Sequence, residues 1–248
     1  MIEVKNISKE YKDVNGLKNV VLNSISLNIS SEKITSIIAP SGSGKSTLLK
    51  IISGLEHATH GEVIKNGNGK IIYFPSQPSS FPWLNVEENI SLGLLKKDPP
   101  KIKSLIALVG LEGYESFYPN NKSYGFRFRI ALARSLAHHP SVILLDEPFD
   151  QMDIKTKQEI LLLIRDIHKT LKTSFLLATT NITEALFLSD DIYLLKNNPG
   201  EIISQFTVDL PKERDEIVYD SEKFIQLRSQ IEKSFKKIDS QKLLSLSV

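Results

Sequence analysis

The chain has 248 residues, with 31 Lys and Arg against 29 Asp and Glu, and no cysteine. Charge this close to neutral gives no broad basic face for nucleic acid or anionic lipid, and the missing thiols exclude a disulfide scaffold, a cysteine metal site and a cysteine nucleophile. The length suits one large or two small domains with a buried core.

The opening "MIEVKNISKEYKD" is charged from residue 3 and lacks the apolar segment of a signal peptide. No apolar run approaches the roughly eighteen residues of a membrane span, so a soluble, cytoplasmic chain is expected. "IEVKNISKEY" and "VVLNSISLNI" alternate apolar and polar residues, as half-buried antiparallel strands do. "KITSIIAP" is nearly continuous in apolar residues and suits a strand buried on both faces. It leads into "SGSGKSTLLKIISGL", a glycine turn and a helix with apolar residues at 48, 49, 51, 52 and 55. "GEVIKNG" and "KIIYFP" read as further strands. From about 79 to 139 prolines and helical patterning predict a mostly helical insertion. The parallel-sheet pattern returns in "SVILLDE", "SFLLATT" and "DIYLLK". Between the first two, Ile160, Leu163, Ile164, Ile167 and Leu171 predict one apolar helix face. Asn181 and Glu184 form a candidate capping pair for the next helix. Residues 1–200 form the expected main domain, and 201–248 a charged tail ending in the amphipathic "FIQLRSQIEKSFKKI".

Two motifs carry chemistry. "APSGSGKS", Ala39 to Ser46, fits the phosphate-loop pattern G-x-x-x-x-G-K-[ST] at every position but the first. Gly42 and Gly44 let backbone N–H groups turn toward phosphate oxygens, and the following helix aims its positive end at them. Lys45 is suited to the β and γ phosphates and the Ser46 hydroxyl to Mg²⁺. Ala39 precedes Pro40 and so favours the extended backbone that alanine tolerates. About a hundred residues later, Asp146 and Glu147 end a buried strand, where ligands of open α/β sheets sit. One carboxylate can hold the water shell of Mg²⁺ while its neighbour polarises the attacking water.

With these residues in view, the chain resembles the ATP-binding subunits of ABC transporters over nearly its whole length, most closely the nitrate, sulfonate and taurine importers. The resemblance rests on "SGSGKSTLLKIISGLE", "FPWLNVEENI", "ALVGLEGYESFYP", "IALARSLAHHPSVILLDEPFDQMD" and the tail "VDLPKERDE…FIQLRSQI". It implies an α/β fold: a P-loop NTPase (RecA-like) core with a mostly parallel sheet, an antiparallel β subdomain and a helical subdomain. It implies nucleotide contacts from Tyr11, Ala39, Pro40, Ser41, Gly42, Ser43, Gly44, Lys45, Ser46 and Thr47. Ser123 and Gly125 would contact the nucleotide of a second subunit. Glu147, Lys45 and Thr180 fall at catalytic positions, Ser46, Asp146 and Gln77 at Mg²⁺ positions, and Asp153 where an aspartate bridges subunits. The implied cofactors are ATP and Mg²⁺. The implied partners are an integral membrane permease, a second ATP-binding subunit and a separate solute-binding protein, with no nucleic acid, on the inner face of the cell membrane.

The sequence also departs from that family. The signature L-S-G-G-Q aligns with Lys122-Ser123-Tyr124-Gly125-Phe126, so a ring replaces a glycine, and Phe128 replaces a glutamine two residues on. Ser123 can still cap the next helix. Thr180 stands at the histidine position and Asn181 at the following aspartate; threonine can donate a hydrogen bond but carries no positive charge. Ser76 takes the place of the glutamine, with Gln77 one residue later. Two readings remain open: a hydrolysing subunit of a small-solute importer, or a hydrolysis-impaired subunit that binds ATP as a dimerisation cue beside an intact paralogue. "FPW", Phe81 to Trp83, falls where the family receives a helix of the permease, and an exposed Trp83 would favour that role.

Overall fold

The computed structural model describes residues 1–12, 16–77 and 80–245, with side chains described as far as residue 236. Two sheets organise it. β1 (Ile2–Lys12) lies between β2 (Lys18–Ile29) and β4 (His60–Lys65), antiparallel to both. The second sheet runs in the order β5 (Lys70–Phe74), β6 (Pro140–Asp146), β7 (Ser174–Thr179), β3 (Ile34–Ile38), β8 (Asp191–Lys196), β9 (Glu201–Thr207). All its neighbours are parallel except β8 and β9, which are antiparallel.

The continuous apolar runs follow from burial of both sheet faces. Side chains alternate along a strand, so Ile143, Leu145, Phe175 and Leu177 face one core while Val142, Leu144, Leu176 and Ala178 face another. The second core lies between the two sheets and encloses α1 (Lys45–Ser53) through Leu48, Leu49, Ile51 and Ile52. Leu55 does not belong to that helix face. Gly54, at φ 81°, ends the helix, and Leu55 is exposed.

The first core is shared with the helical insertion: α2 (Val86–Ser91), α3 (Pro99–Leu108) and α4 (Tyr124–Ala137). No strand occurs there among the described residues. α5 (Ile154–Leu171) buries Ile160, Leu161, Ile164 and Ile167. Leu163 packs at the margin, and Leu171 is exposed in the last turn, beyond the edge of the core. α6 (Ile182–Leu188) is capped by Asn181, whose side chain accepts from the amides of Thr183 and Glu184. The expected reciprocal bond from Glu184 is not made. Its carboxylate is drawn inward to the Thr179 hydroxyl at 2.8 Å and the Lys157 ammonium at 2.7 Å. In the tail, α7 (Glu222–Ser245) seats Phe224 and Ile231 in the first core. No helix among the described residues is long and apolar enough to cross a membrane.

Candidate functional site

Parallel pairing brings the C-terminal ends of β3, β6 and β7 side by side, and the chemistry-bearing residues leave from those ends. After β3 the chain enters the glycine loop. Gly42 and Gly44 have φ of 76° and 89°, a region that side-chain-bearing residues rarely adopt. Gly44 has a second reason to be glycine: a Cβ there would lie 2.8 Å from Leu22 and 2.9 Å from Val21. The loop is also backed by Gly200, where a Cβ would stand 2.4 Å from the Ser43 carbonyl oxygen.

Lys45 opens α1 and is almost wholly buried. Its ammonium donates to the carbonyls of Ala39 (2.9 Å) and Pro40 (3.0 Å) and pairs with Glu147 Oε1 at 2.9 Å. Next to it the Ser46 hydroxyl donates to Asp146 Oδ1 at 3.0 Å. The other Asp146 oxygen accepts from the Tyr73 hydroxyl at 2.7 Å. Tyr73, on β5, was not among the sequence candidates. Its signal was a polar-tipped aromatic near the end of the strand adjoining the carboxylate strand. Burial, then the Asp146 carboxylate, pushes its hydroxyl pKa up, so it stays a donor at neutral pH.

Glu147 leaves β6 with φ 45°, a strained backbone that aims its carboxylate back across the strand ends. Oε2 accepts from the Thr180 amide at 3.1 Å, while the Thr180 side chain is exposed. Burial raises the Glu147 pKa above its ordinary 4.5, outweighing the opposing pull of Lys45. Folding therefore favours the protonated carboxyl. This group's stabilising effect is full below pH 4.5 and is lost as pH rises through the raised value. Denaturant unfolding across the acid range should show this slope in the nucleotide-free chain, and Glu147→Gln should remove it.

Tyr11, Ser123 and Gly125 stand apart from this cluster. Tyr11 is 40% exposed on β1, with its hydroxyl on Glu56 and Thr47 within hydrogen-bonding reach. Lys9 lies 4.8 Å from one face of its ring. Ser123 caps α4 as expected, accepting from the Phe126 amide at 3.2 Å. Gly125 packs against Thr156, whose hydroxyl and amide are held by Asp153 at the start of α5. A Cβ at Gly125 would sit 2.5 Å from Thr156 Cγ2, so Gly125→Ala is expected to cost about 1–3 kcal/mol in a thermal or denaturant melt.

The unusual signature residues have separate destinations. Phe128 is fully buried, its ring 4.8 Å from Phe74 and 6.4 Å from Phe149. It fastens α4 to the sheet instead of facing a ligand. Phe126 meets Tyr114 edge-on at 5.7 Å. Tyr124 reaches across to donate its hydroxyl to the Ser76 carbonyl in the bend after β5, and burial raises its pKa to about 12. Ser76 and Gln77 are both exposed in that bend, and Trp83 is 69% exposed.

Comparison with known proteins agrees with this geometry. The family described as ABC transporter matches residues 22–150. The aliphatic sulfonates import ATP-binding protein of Bacillus subtilis is 37% identical over 233 residues, covering 90% of each chain. The nitrate import ATP-binding protein of a Synechocystis species is 35% identical over 210 residues, covering 79% of this chain and 78% of its own. Among solved structures, a dimeric ATP-binding cassette in a post-hydrolysis state with ADP and Pi superposes with a TM-score of 0.74 at 28% identity. That match covers 85% of this chain and all of the other. With phosphate loop, paired carboxylates and sheet order all in place, the chain belongs to the ABC transporter family.

Proposed function

We propose that the chain is the ATP-hydrolysing cassette of an importer for a small oxyanionic solute of the sulfonate or nitrate kind. It would work as one of a pair of cassettes, bound to a membrane permease at the inner face of the membrane. The observation that carries the reading is the meeting of Lys45, Ser46, Asp146 and Glu147 at adjoining strand ends. The import proteins of similar sequence support the solute class.

Each residue has a definable task. The loop amides and Lys45 bind the triphosphate tail. The Ser46 hydroxyl and Asp146 carboxylate converge at 3.0 Å, a pair of hard oxygen donors that fits Mg²⁺; the ion would supply neutralisation of phosphate charge. Tyr73 keeps Asp146 turned toward that position. Glu147 takes the proton of the attacking water. Its partner Lys45 is needed by phosphate, so nucleotide binding draws the cation away from a carboxylate whose pKa burial already raises. Glu147 thereby becomes a stronger base when substrate is present. Tyr11 offers the ring face not covered by Lys9 to the nucleobase. The exposed Trp83 supports a permease contact near residues 81–83.

Co-expression with a permease and a solute-binding protein, followed by ATP-driven uptake of sulfonates and nitrate into vesicles, tests the proposal. Uptake dependent on this chain is expected; a permease complex that transports equally well without it ends the reading. Thr180 marks the weakest part of the machinery, having an exposed side chain with no charge to place on phosphate. Thr180→His is expected to raise ATP turnover by about tenfold or more, measured as phosphate release under saturating ATP.

A further inference from the structure

The turn that joins β7 to α6 meets Glu147 through one peptide unit. The Thr180 N–H of that unit donates to Glu147 Oε2 at 3.1 Å, and its other end, the Thr179 carbonyl, accepts from the Ala39 amide at 3.3 Å. A peptide is planar, so turning the unit would break both bonds together. Thr180 has an exposed side chain, so the brace against such a turn comes from its neighbours. The Thr179 hydroxyl accepts from the Asn181 amide at 3.0 Å, a local bond that spans the unit. Threonine turn bonds of this kind are weak alone, because the hydroxyl rotates. Here rotation is stopped: the hydroxyl donates its proton to Glu184 Oε2 at 2.8 Å, which leaves its lone pairs for Asn181. The other Glu184 oxygen holds Lys157 Nζ at 2.7 Å, and the Glu184 amide donates to the Asn181 side chain at 3.2 Å.

Thr179 is 1% exposed and Glu184 3%, so water does not compete for these bonds. The cost of burying a carboxylate largely cancels what its cation returns. An apolar residue would seat α6 as firmly; what Glu184 adds is direction. We propose that Thr179 and Glu184 are positioning residues for Glu147, together aiming the Thr180 N–H at its carboxylate. The proposal rests on the reading of Glu147 as the base. Once phosphate draws Lys45 away, the Thr180 amide is the hold that remains on Glu147, and Oε1 is left to face the attacking water. The far end of α6 is fixed separately by Arg214, which donates to the carbonyls of Leu186, Phe187 and Ser189. Loss of the Thr179 hydroxyl therefore frees the turn without unseating the helix.

Steady-state ATP turnover of the full chain tests this, with Thr179→Val as the variant that keeps the shape and loses the hydroxyl. Its kcat is expected to fall about tenfold while KM for ATP changes less than about twofold, because Lys45 and the loop amides still bind the triphosphate. Thr179→Ser keeps the hydroxyl and should recover most of the rate. A residue that only supports the fold lowers turnover whatever stands at 147, whereas a positioning residue loses its effect once there is no base to position. In the Glu147→Gln chain, Thr179→Val should therefore lower the residual rate by less than about twofold, read as release of labelled phosphate. Circular dichroism and melting establish which variants fold. If Thr179→Val does not, Glu184→Gln carries the test, since its amide must set a donor against either Thr179 or Lys157. An unchanged kcat in the folded variant, a Thr179→Ser chain as slow as Thr179→Val, or an equal loss in the Glu147→Gln background overturns the proposal. Full turnover by Glu147→Gln removes the base itself and the positioning role with it. A slow Glu147→Gln beside a fast Thr179→Val overturns the positioning role alone.

Discussion

ATP turnover is expected to fall about 10²–10⁴-fold in Glu147→Gln, the range associated with loss of a positioned general base, while ATP binding is retained. The reason lies in how the carboxylate is held. One oxygen is on Lys45 and the other on the Thr180 amide, so the group is oriented before any water arrives. Glutamine preserves the shape and can still accept from that amide, but it cannot take a proton. Phosphate release at saturating ATP, with bound nucleotide measured separately, checks the result. Equal turnover in both chains would remove Glu147 from the chemistry and, with it, the hydrolytic half of the proposed function.

Lys45→Ala should act at the preceding step, raising the Kd for ATP by about a hundredfold or more. Hydrogen bonds to charged groups contribute roughly 1.5–3 kcal/mol each, and this ammonium can make several to phosphate oxygens. The structure adds a second effect. Lys45 has three oxygen partners within the chain, two of them carbonyls of its own loop. Alanine would leave those carbonyls unpaired and Glu147 without its cation, so the loop should also lose order. Titration with a fluorescent nucleotide measures the affinity, and a melt measures the loop's contribution to stability. Unchanged affinity would mean that the turn at 39–46 is not the triphosphate site.

Much of this was legible in the residues. The strand-and-loop unit at 34–46 is specified locally, because glycines at 42 and 44 permit a backbone that other residues resist. The carboxylate pair was legible for a similar reason, as an acidic end to a wholly apolar strand. What escaped depends on residues distant in sequence. Tyr73 becomes the brace of Asp146 only when β5 pairs with β6, and Gly200 supports the loop only because β9 returns along β8. Periodicity also overextended one helix, α1, and the buried face of another, α5. Leu55 and Leu171 continue the apolar rhythm past the point where the core ends. The Asn181 cap was legible, yet Glu184 was diverted by Lys157, which lies on another helix. Phe128 looked like damage to a ligand site, but it fills a gap between Phe74 and Phe149 that no local pattern announces.

The contact from Tyr124 to the Ser76 carbonyl has a mechanical consequence. Ser76 is three residues beyond Tyr73, which grips Asp146, and Tyr124 is one residue beyond the serine that caps α4. Residues 73–76 and the Tyr124 side chain thus connect the Asp146 carboxylate with the N-terminal tip of α4. In a pair of cassettes of the kind proposed above, a pull on either end of that stretch would be passed to the other through the Tyr124 hydroxyl.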